Sequence, residues 1–444
     1  ADGRGFLGWV GTGLAVHCLV HKPVLKTNVI PLTITEWRQA SQQGMTLADA
    51  LHAVAARLTP DDAAWILCLG LDAWLAQASA LQQRLADADG DLGRFPLFGV
   101  PFVVKDNIDV DGLTTTAACP DYGYTATASA PAVQRLIDAG AILLGKANLD
   151  QFATGLVGVR SPYGAVPNAF NPAYISGGSS SGSAVLVARG IAAFSLGTDT
   201  AGSGRVPAAF NNIVGLKPTR GWFSARGVVP ACRSLDCVSV FAQTVEDAAR
   251  VASVIGHFDE QDAYARPAPA PFAAQRMPAA PRLGIPESPS FFGDAQAAAA
   301  FARACDAFRA MGATLVPLDF TALHALAALL YDGPWIAERY AAIDAYIEAG
   351  QGEMDPVVRG IIEQARNYSA ADAFKAEYQR AERVRAAQRL MSTVDALLVP
   401  STPTIYTLDD VAADPVRLNT RLGTYTNFVN LMDGRALALP AACS

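Results

Sequence analysis

The spacing of apolar residues along the chain predicts a series of helices. Between Leu47 and Leu85 apolar residues recur every three or four positions, with an interruption near Pro60, which indicates helices on both sides of the break. Residues 131–139 begin with proline and are followed by glycine, as in a short capped helix. Residues 180–189 end in the same way. Residues 372–391 predict a long amphipathic helix with a solvated Arg/Glu face.

Continuous apolar runs predict buried strands between these helices. They cover residues 100–104, 141–148 and 191–197. The first of these runs ends at a lysine. Apolar strands that alternate with helices are typical of a sheet covered on both faces. We therefore predict an α/β fold whose β-sheet core is flanked by helices on both faces.

A proline- and alanine-rich segment, residues 265–281, divides the chain into two parts. Such a composition favours a semi-rigid surface connection. The part before it is rich in glycine and serine, and the part after it is rich in helix from about 294 to 391. We assign residues 31–444 to one domain and residues 1–30 to an extension without a predicted structure. The apolar run in that extension, residues 5–20, is too short for a membrane span of about 20 residues.

Composition and charge exclude several classes of protein. Only 17% of the 444 residues are charged, against roughly 25% in average domains, so the chain has a large core to bury. The net charge of −7 argues against nucleic acid as a partner. Seven cysteines and five histidines do not cluster, so we expect no metal or cofactor. Scattered cysteines also favour reduced thiols in a cytoplasmic protein.

The window from Lys105 to Arg205 carries the candidate chemistry. Residues 176–183 contain only serine and glycine, a composition that suits a flexible linker or a phosphate-binding loop. A linker does not run directly into a buried helix and strand, as this segment does. A phosphate-binding P-loop needs the pattern GxxxxGK followed by Ser or Thr, which is missing here. What remains is a glycine-rich backbone that presents N–H groups and hydroxyl groups at one place.

Acyl transfer by a serine requires a base, and the sequence offers a lysine. No histidine lies between His52 and His257, so a local Ser-His-Asp arrangement is not available. Lys105 follows an apolar strand, and burial would lower its pKa from the usual value of about 10.4. An ion pair with Asp106 or Asp109 is the alternative explanation for a lysine at this position.

Three sequence blocks in this window resemble the amidase signature family. They are GVPFVVKDN (99–107), GGSSSGSA (177–184) and GTDTAGSGRVPA (197–208). The resemblance is specific from about residue 97 to 244, and it resumes at 397–404 and 425–441. It implies the amidase-signature fold, with a mixed sheet at its centre, and the hydrolysis of small amides without a cofactor. Family habit also suggests a homodimer.

The resemblance assigns a catalytic triad to matching positions. The family's lysine falls on Lys105, its serine after a cis peptide bond on Ser179, and its nucleophile on Ser203. By implication, neutral Lys105 accepts a proton from Ser179, which accepts one from Ser203. The backbone N–H groups of the nucleophile loop would form the oxyanion hole: Thr200, Ala201, Gly202 and Ser203. Supporting positions that orient these loops are Gly178, Asp199 and Arg205.

The chain departs from the family at the residue two before the nucleophile. Many members have two glycines there, and this chain has Ala201 and Gly202. A methyl group at position 201 restricts φ, so we expect this residue to keep an ordinary backbone conformation.

Within the family, the chain looks closer to the allophanate hydrolase branch than to the fatty-amide, peptide-amide or tRNA-dependent amidotransferase branches. LLYDGPWIAERYAAI (329–343) matches a segment whose Tyr and Arg hold the substrate there, which points to Tyr331 and Arg339. An arginine fork suits the carboxylate of allophanate. Pro334 predicts the start of a helix, which places Tyr331 in the preceding loop and Arg339 in the second turn. Gly155 matches a further position that presents backbone groups to the substrate.

Two alternatives remain open at this stage. The chain could hydrolyse another small aliphatic or aryl amide by the same mechanism, or it could be a non-catalytic binding subunit. The intact Lys105, Ser179 and Ser203 favour an enzyme.

Overall fold

A seven-stranded mixed sheet forms the centre of the molecule. The computed structural model describes residues 31–267, 277–350 and 352–441, so the extension 1–30 and most of the segment 265–281 lie outside the described residues. In spatial order the strands are β1-β5-β2-β6-β8-β7-β12. Their bounds are β1 Trp65–Cys68, β2 Pro101–Lys105, β5 Ile142–Ala147, β6 Phe194–Asp199, β7 Val214–Lys217, β8 Cys237–Ala242 and β12 Ala436–Ala438.

The central strands bring the ends of two sequence motifs to one edge of the sheet. β2 runs parallel to both β5 and β6, with Val104 opposite Leu196. The other neighbours are antiparallel, including β6 with β8. Because parallel strands end at the same edge, Lys105 at the end of β2 lies beside the end of β6, where the nucleophile loop begins.

Both faces of the sheet are buried, as the apolar runs predict. Every residue of β2, β5, β6 and β8 is buried. The rings of Phe102 and Phe194 stack at the centre with their centroids 5.4 Å apart. Strands covered on both faces are nearly continuous in apolar side chains, because neither face meets water.

Fifteen α-helices occur in the described parts of the chain. Their bounds are α1 Ile34–Gln42, α2 Leu47–Ala55, α3 Gly70–Ala86, α4 Pro131–Asp138, α5 Ser181–Ala188, α6 Val206–Phe210, α7 Val245–Ile255, α8 Ala295–Ala310, α9 Thr321–Asp332, α10 Ile336–Glu348, α11 Pro356–Glu363, α12 Ala370–Met391, α13 Leu408–Ala413, α14 Arg417–Leu422 and α15 Asn427–Leu431. The helices predicted at 131–139, 180–189 and 372–391 are present as α4, α5 and α12. None of the described helices has the length and apolar character that a membrane-spanning segment needs.

One helix prediction is wrong in part. The segment between Leu47 and Leu85 contains helices α2 and α3, but residues 65–68 form strand β1 between them. β1 pairs with β5 and is the outermost strand on that side of the sheet. Trp74 on α3 donates a hydrogen bond of 2.9 Å to the Leu144 carbonyl. Four apolar residues are too few for periodicity to separate a strand from a helix, so strand pairing decides.

The second part of the chain has a small sheet of its own. Strands β9 Arg282–Pro286, β10 Thr314–Leu318 and β11 Ala396–Leu397 pair in parallel in the order β10-β9-β11. A two-stranded ribbon, β3 Thr114–Thr115 and β4 Tyr124–Thr125, completes the described strands. Tyr331 lies in the last turn of α9 and not in a loop, and Arg339 is the fourth residue of α10. Pro334 separates these two helices.

The stacked phenylalanine pair predicts a large effect on stability. Phe102 is fully buried, and truncating such a ring costs about 3–5 kcal/mol because a cavity remains. We expect Phe102→Ala to lower the thermal unfolding midpoint by several degrees, measured by circular dichroism. The matched control is Phe374→Ala, because Phe374 is 64% exposed. Equal midpoints for the two variants would contradict this account of the core.

Candidate active site

Lys105 contacts two hydroxyl groups in a fully buried setting. Its Nζ donates hydrogen bonds to Ser179 Oγ at 2.8 Å and to Thr198 Oγ1 at 2.7 Å. Lys105 and Ser179 are both inaccessible to solvent. The first two members of the predicted triad are therefore within hydrogen-bonding distance, although they are 74 residues apart.

The ion pairs considered as alternatives for Lys105 do not form. Asp106 is paired with Lys146 instead, at 3.1 Å between Oδ1 and Nζ, and it accepts hydrogen bonds from the backbone and hydroxyl of Thr116. Asp109 accepts a hydrogen bond from the Tyr124 hydroxyl at 2.8 Å. Each of these carboxylates has another partner, so Lys105 has no direct counter-ion among the described residues.

Burial lowers the pKa of Lys105 to about 7, and the positive charge of Arg339 acts in the same direction. Asp150, Asp236 and Asp199 act in the opposite direction through their negative charges. Desolvation disfavours the charged ammonium, because the interior cannot replace its hydration. A substantial fraction of Lys105 is thus neutral at neutral pH, as a general base requires.

The serine- and glycine-rich run is a fixed part of the interior. The Gly178–Ser179 peptide bond is cis, as the family resemblance implies. Ser180 Oγ donates to the Thr198 carbonyl at 3.1 Å, which fastens the run to the end of β6. A Cβ on Gly177 would lie 3.0 Å from the Pro207 Cα, so the run also packs against the segment after the nucleophile.

Asp150 organises the loop that faces this run. Its carboxylate accepts hydrogen bonds from the backbone N–H groups of four consecutive residues, 157–160, at 3.0–3.1 Å. A Cβ added to Gly178 would lie 2.1 Å from Asp150 Oδ2, and a Cβ added to Gly155 would lie 2.5 Å from the same oxygen. Both positions therefore require glycine, because a side chain would displace the carboxylate.

Asp199 and Arg205 brace the loop that carries Ser203. Arg205 Nε and Nη2 donate to the two carboxylate oxygens of Asp199, each at 2.9 Å. Burial would raise the pKa of Asp199, but Arg205, Lys217 and hydrogen bonds outweigh it and lower this pKa. Arg205 also donates to Asn430 Oδ1 at 2.8 Å, which links the loop to the sequence block 425–441.

The nucleophile loop presents buried backbone donors. Ala201 and Ser203 are 4% and 3% exposed, and neither N–H has a hydrogen-bond acceptor among the described residues. Buried N–H groups without a partner are rare, because leaving them unpaired costs free energy. Ala201 is not among the residues with positive φ, as predicted for this position. Two donors of the predicted oxyanion hole are thus available to a bound oxygen atom.

The link between the two serines is looser than the link to the lysine. No hydrogen bond joins the hydroxyls of Ser179 and Ser203 in the described part of the chain. Catalytic hydrogen bonds often tighten only in the complex with substrate, so the proton relay between the two serines stays a prediction.

Thr200 and Asp236 tie the nucleophile loop to the second part of the chain. Thr200 Oγ1 donates to Asp236 Oδ1 at 2.5 Å, and Asp236 also accepts the N–H groups of Ala231 and Cys232. Burial raises the pKa of Asp236. In the same turn, Ser234 donates its N–H to Glu338 Oε2 at 2.8 Å. This turn therefore connects the loop of Ser203 to α10, which carries Arg339.

The predicted substrate-binding residues lie together near Lys105. Arg339 Nη1 donates to the Ala153 carbonyl at 3.2 Å and to Thr154 Oγ1 at 3.1 Å, next to Gly155. Arg339 forms no ion pair with a described residue, and its Nε and Nη2 have no acceptor there. Tyr331 is 38% exposed. Desolvation raises the pKa of its phenol, whereas Arg339 and Arg160 lower it.

Sequence reasoning missed several buried polar residues of this site: Asp150, Arg160, Thr198 and Asp236. A usable signal exists for two of them. Asp150 follows β5 and Asp236 directly precedes β8, which is antiparallel to β6. Both therefore fall at the edge where β2 and β6 end, and a titratable residue next to an apolar strand marks this edge.

These residues match the arrangement expected of amidohydrolases that use a serine and a lysine in place of histidine. A family model described as Amidase matches residues 49–444. The chain belongs to the amidase family. The family follows from the match over most of the chain.

Curated relatives and solved structures agree with this assignment. Urea amidolyase of Lachancea kluyveri is 48% identical over 385 residues, which cover 86% of this chain and 21% of that protein. Urea amidolyase of Saccharomyces cerevisiae is 46% identical over 405 residues, which cover 90% of this chain and 22% of that protein. Selenomethionine-substituted Kluyveromyces lactis allophanate hydrolase superposes with a TM-score of 0.88 at 44% sequence identity. The match covers 93% of this chain and 67% of that chain. The chain spans about a fifth of the urea amidolyases it matches.

The lowered pKa of Lys105 predicts the pH dependence of amide hydrolysis. The neutral amine is the active form, so kcat/KM should rise with pH through an apparent pKa of about 7 and then level off. Steady-state rates between pH 5 and 9 measure this profile. Lys375→Arg serves as the control, because the Lys375 side chain is 71% exposed. A rate that stays constant down to pH 5 would exclude a neutral lysine as the base.

Proposed function

We propose that this chain hydrolyses allophanate, a small planar urea that carries a carboxylate. The observation that carries the proposal is the Arg339 guanidinium, which has no acidic partner among the described residues and acts on the pKa of Lys105. An unpaired arginine beside a serine-lysine site suits an amide with a negative charge. The similarity to a protein named allophanate hydrolase supports the same substrate.

The proposed reaction begins with proton transfer along the triad. Neutral Lys105 accepts the proton of Ser179, which accepts the proton of Ser203, and Ser203 Oγ attacks the terminal carbonyl carbon of the substrate. The carbonyl oxygen becomes an oxyanion, and the free N–H groups of Ala201 and Ser203 stabilise it. Thr200 and Gly202 supply the neighbouring N–H groups of the predicted hole.

Collapse of this intermediate breaks the C–N bond. The protonated lysine returns its proton through Ser179 to the leaving nitrogen, and ammonia departs. Water then attacks the acyl-enzyme with the same groups as base and acid, and this restores the Ser203 hydroxyl. The product is N-carboxycarbamate, which goes on to ammonia and carbon dioxide.

Arg339 and Tyr331 hold the substrate in this proposal. Nη1 of Arg339 is fixed by Ala153 and Thr154, which leaves Nε and Nη2 as the edge that binds a carboxylate. The Tyr331 hydroxyl bonds the amide end, and the backbone at Gly155 lines the space between them. A homodimer and the boundaries of the single domain stay predictions.

Covalent labelling tests the nucleophile. We expect a serine-directed fluorophosphonate to add one adduct to the chain, at Ser203, because this hydroxyl is activated by the relay. Mass spectrometry of peptides locates the adduct. Ser203→Ala should abolish labelling and ammonia release, whereas Ser253→Ala, at an exposed position on α7, should change neither. Absence of any adduct would favour a non-catalytic binding subunit.

A pair of matched substrates tests the role of Arg339. Biuret has the shape of allophanate with an amide in place of the carboxylate. We expect Arg339→Met to lower kcat/KM for allophanate at least a hundredfold, about 3 kcal/mol, because a charged pair is lost. The loss for biuret should be much smaller. Ammonia release is measured for both substrates.

The control for this comparison is Arg309→Met, because the Arg309 side chain is 55% exposed and distant in sequence from the site. If Arg339→Met leaves kcat/KM for allophanate within a few-fold, the substrate is another small amide.

A further inference from the structure

A second arginine, Arg160, lies behind the loop that holds Arg339. It is 3% exposed. Its Nη1 donates to the Thr154 carbonyl at 2.9 Å and its Nη2 to the Pro415 carbonyl at 2.5 Å. The hydroxyl of the same Thr154 accepts a hydrogen bond from Arg339. The two guanidinium groups therefore contact the same residue, one through its side chain and the other through its carbonyl.

Arg160 is a buried cation without an ion-pair partner in the described part of the chain. Its only side-chain acceptors among the described residues are two carbonyl oxygens, and its buried Nε has none. Asp150, whose carboxylate binds the backbone of this loop, is engaged by four backbone N–H groups, including that of Arg160. Buried arginines are normally paired, because an unpaired charge in the interior is costly. The charge of Arg160 is thus left to act on its surroundings.

Three buried acids lie close enough to act on Lys105: Asp150, Asp199 and Asp236. Arg205 neutralises Asp199 through both carboxylate oxygens, whereas Asp150 and Asp236 have no cationic partner among the described residues. An anionic substrate that approaches Ser203 therefore meets the negative charges of Asp150 and Asp236. Arg339 and the buried Arg160 also lack a partner of opposite charge among the described residues, so their charges oppose this repulsion. The positive charge of Arg160 acts to lower the pKa of Tyr331, whereas burial raises it.

We propose that Arg160 is a specificity-determining residue for the carboxylate of the substrate. It does not touch the substrate. Its charge adds to that of Arg339 across a low-dielectric interior, and its bond to the Thr154 carbonyl positions the segment that holds Arg339. This inference rests on the proposed function, because it assumes a substrate with a carboxylate.

Two substitutions separate the charge of Arg160 from its hydrogen bond. Arg160→Lys keeps the charge, and Arg160→Gln removes the charge but keeps an N–H donor on a shorter side chain. The readouts are kcat and KM for allophanate and biuret. A second readout is the dissociation constant of each compound for the same variants in a Ser203→Ala background, measured by titration calorimetry.

We expect Arg160→Gln to lower the preference for allophanate over biuret about tenfold, mainly through KM, as one added charge several ångströms away would do. Arg160→Lys should keep the preference within about threefold. The thermal unfolding midpoints show whether the two variants are folded. If Arg160→Gln does not fold, the preference of a folded Arg160→Lys variant is compared with that of the unmodified protein.

Two results would overturn the inference. One is an unchanged preference in a folded Arg160→Gln variant, and the other is an equal loss for both compounds in the glutamine and lysine variants. The latter would mean that Arg160 only supports the loop. The proposed function is judged separately, by whether the unmodified enzyme releases ammonia from allophanate faster than from biuret. The calorimetric preference decides the role of Arg160 even if that turnover is absent.

Discussion

The contact on which the site depends is the one between Lys105 Nζ and the hydroxyls of Ser179 and Thr198. Hydroxyl groups can hydrogen-bond to a lysine amine in either protonation state, because they both donate and accept hydrogen bonds. A carboxylate in the same place would hold the lysine protonated. With only hydroxyl partners in a fully buried position, Lys105 has a pKa of about 7. The fold therefore has to bury a lysine while it keeps acids out of direct contact with it.

The structure meets this condition by giving each nearby acid its own partner. Asp106 pairs with Lys146, and Asp199 binds Arg205 through both oxygens. Asp150 is held by backbone N–H groups, and Asp236 by Thr200 and its own turn. These pairings also fix the loops that surround the serines. The same acids thus hold the loops of the site in place. Their partners limit how far the negative charges raise the pKa of Lys105.

The sequence predicted the strands, helices and loops next to Lys105 and Ser203 better than the elements that pack around them. The strand before Lys105, the helix after the serine-rich run and the loop of Ser203 have strong local signals, because apolar runs, glycines and hydroxyl residues recur in fixed blocks. Strand β1 and the helical position of Tyr331 depend on pairing and packing with distant segments, which periodicity does not contain. Arg160 was missed for the same reason, since its partners are carbonyl groups of loops.

A low pKa of Lys105 and the binding of an anionic substrate oppose each other electrostatically. Lowering the pKa of Lys105 requires positive charge nearby or poor solvation, and a bound carboxylate would raise this pKa by adding negative charge. Arg339 lowers the pKa of Lys105 and also offers a free edge to a carboxylate. Once that carboxylate binds, the effect of Arg339 on Lys105 is largely cancelled. A further positive charge that the substrate does not neutralise would keep the lysine neutral in the complex.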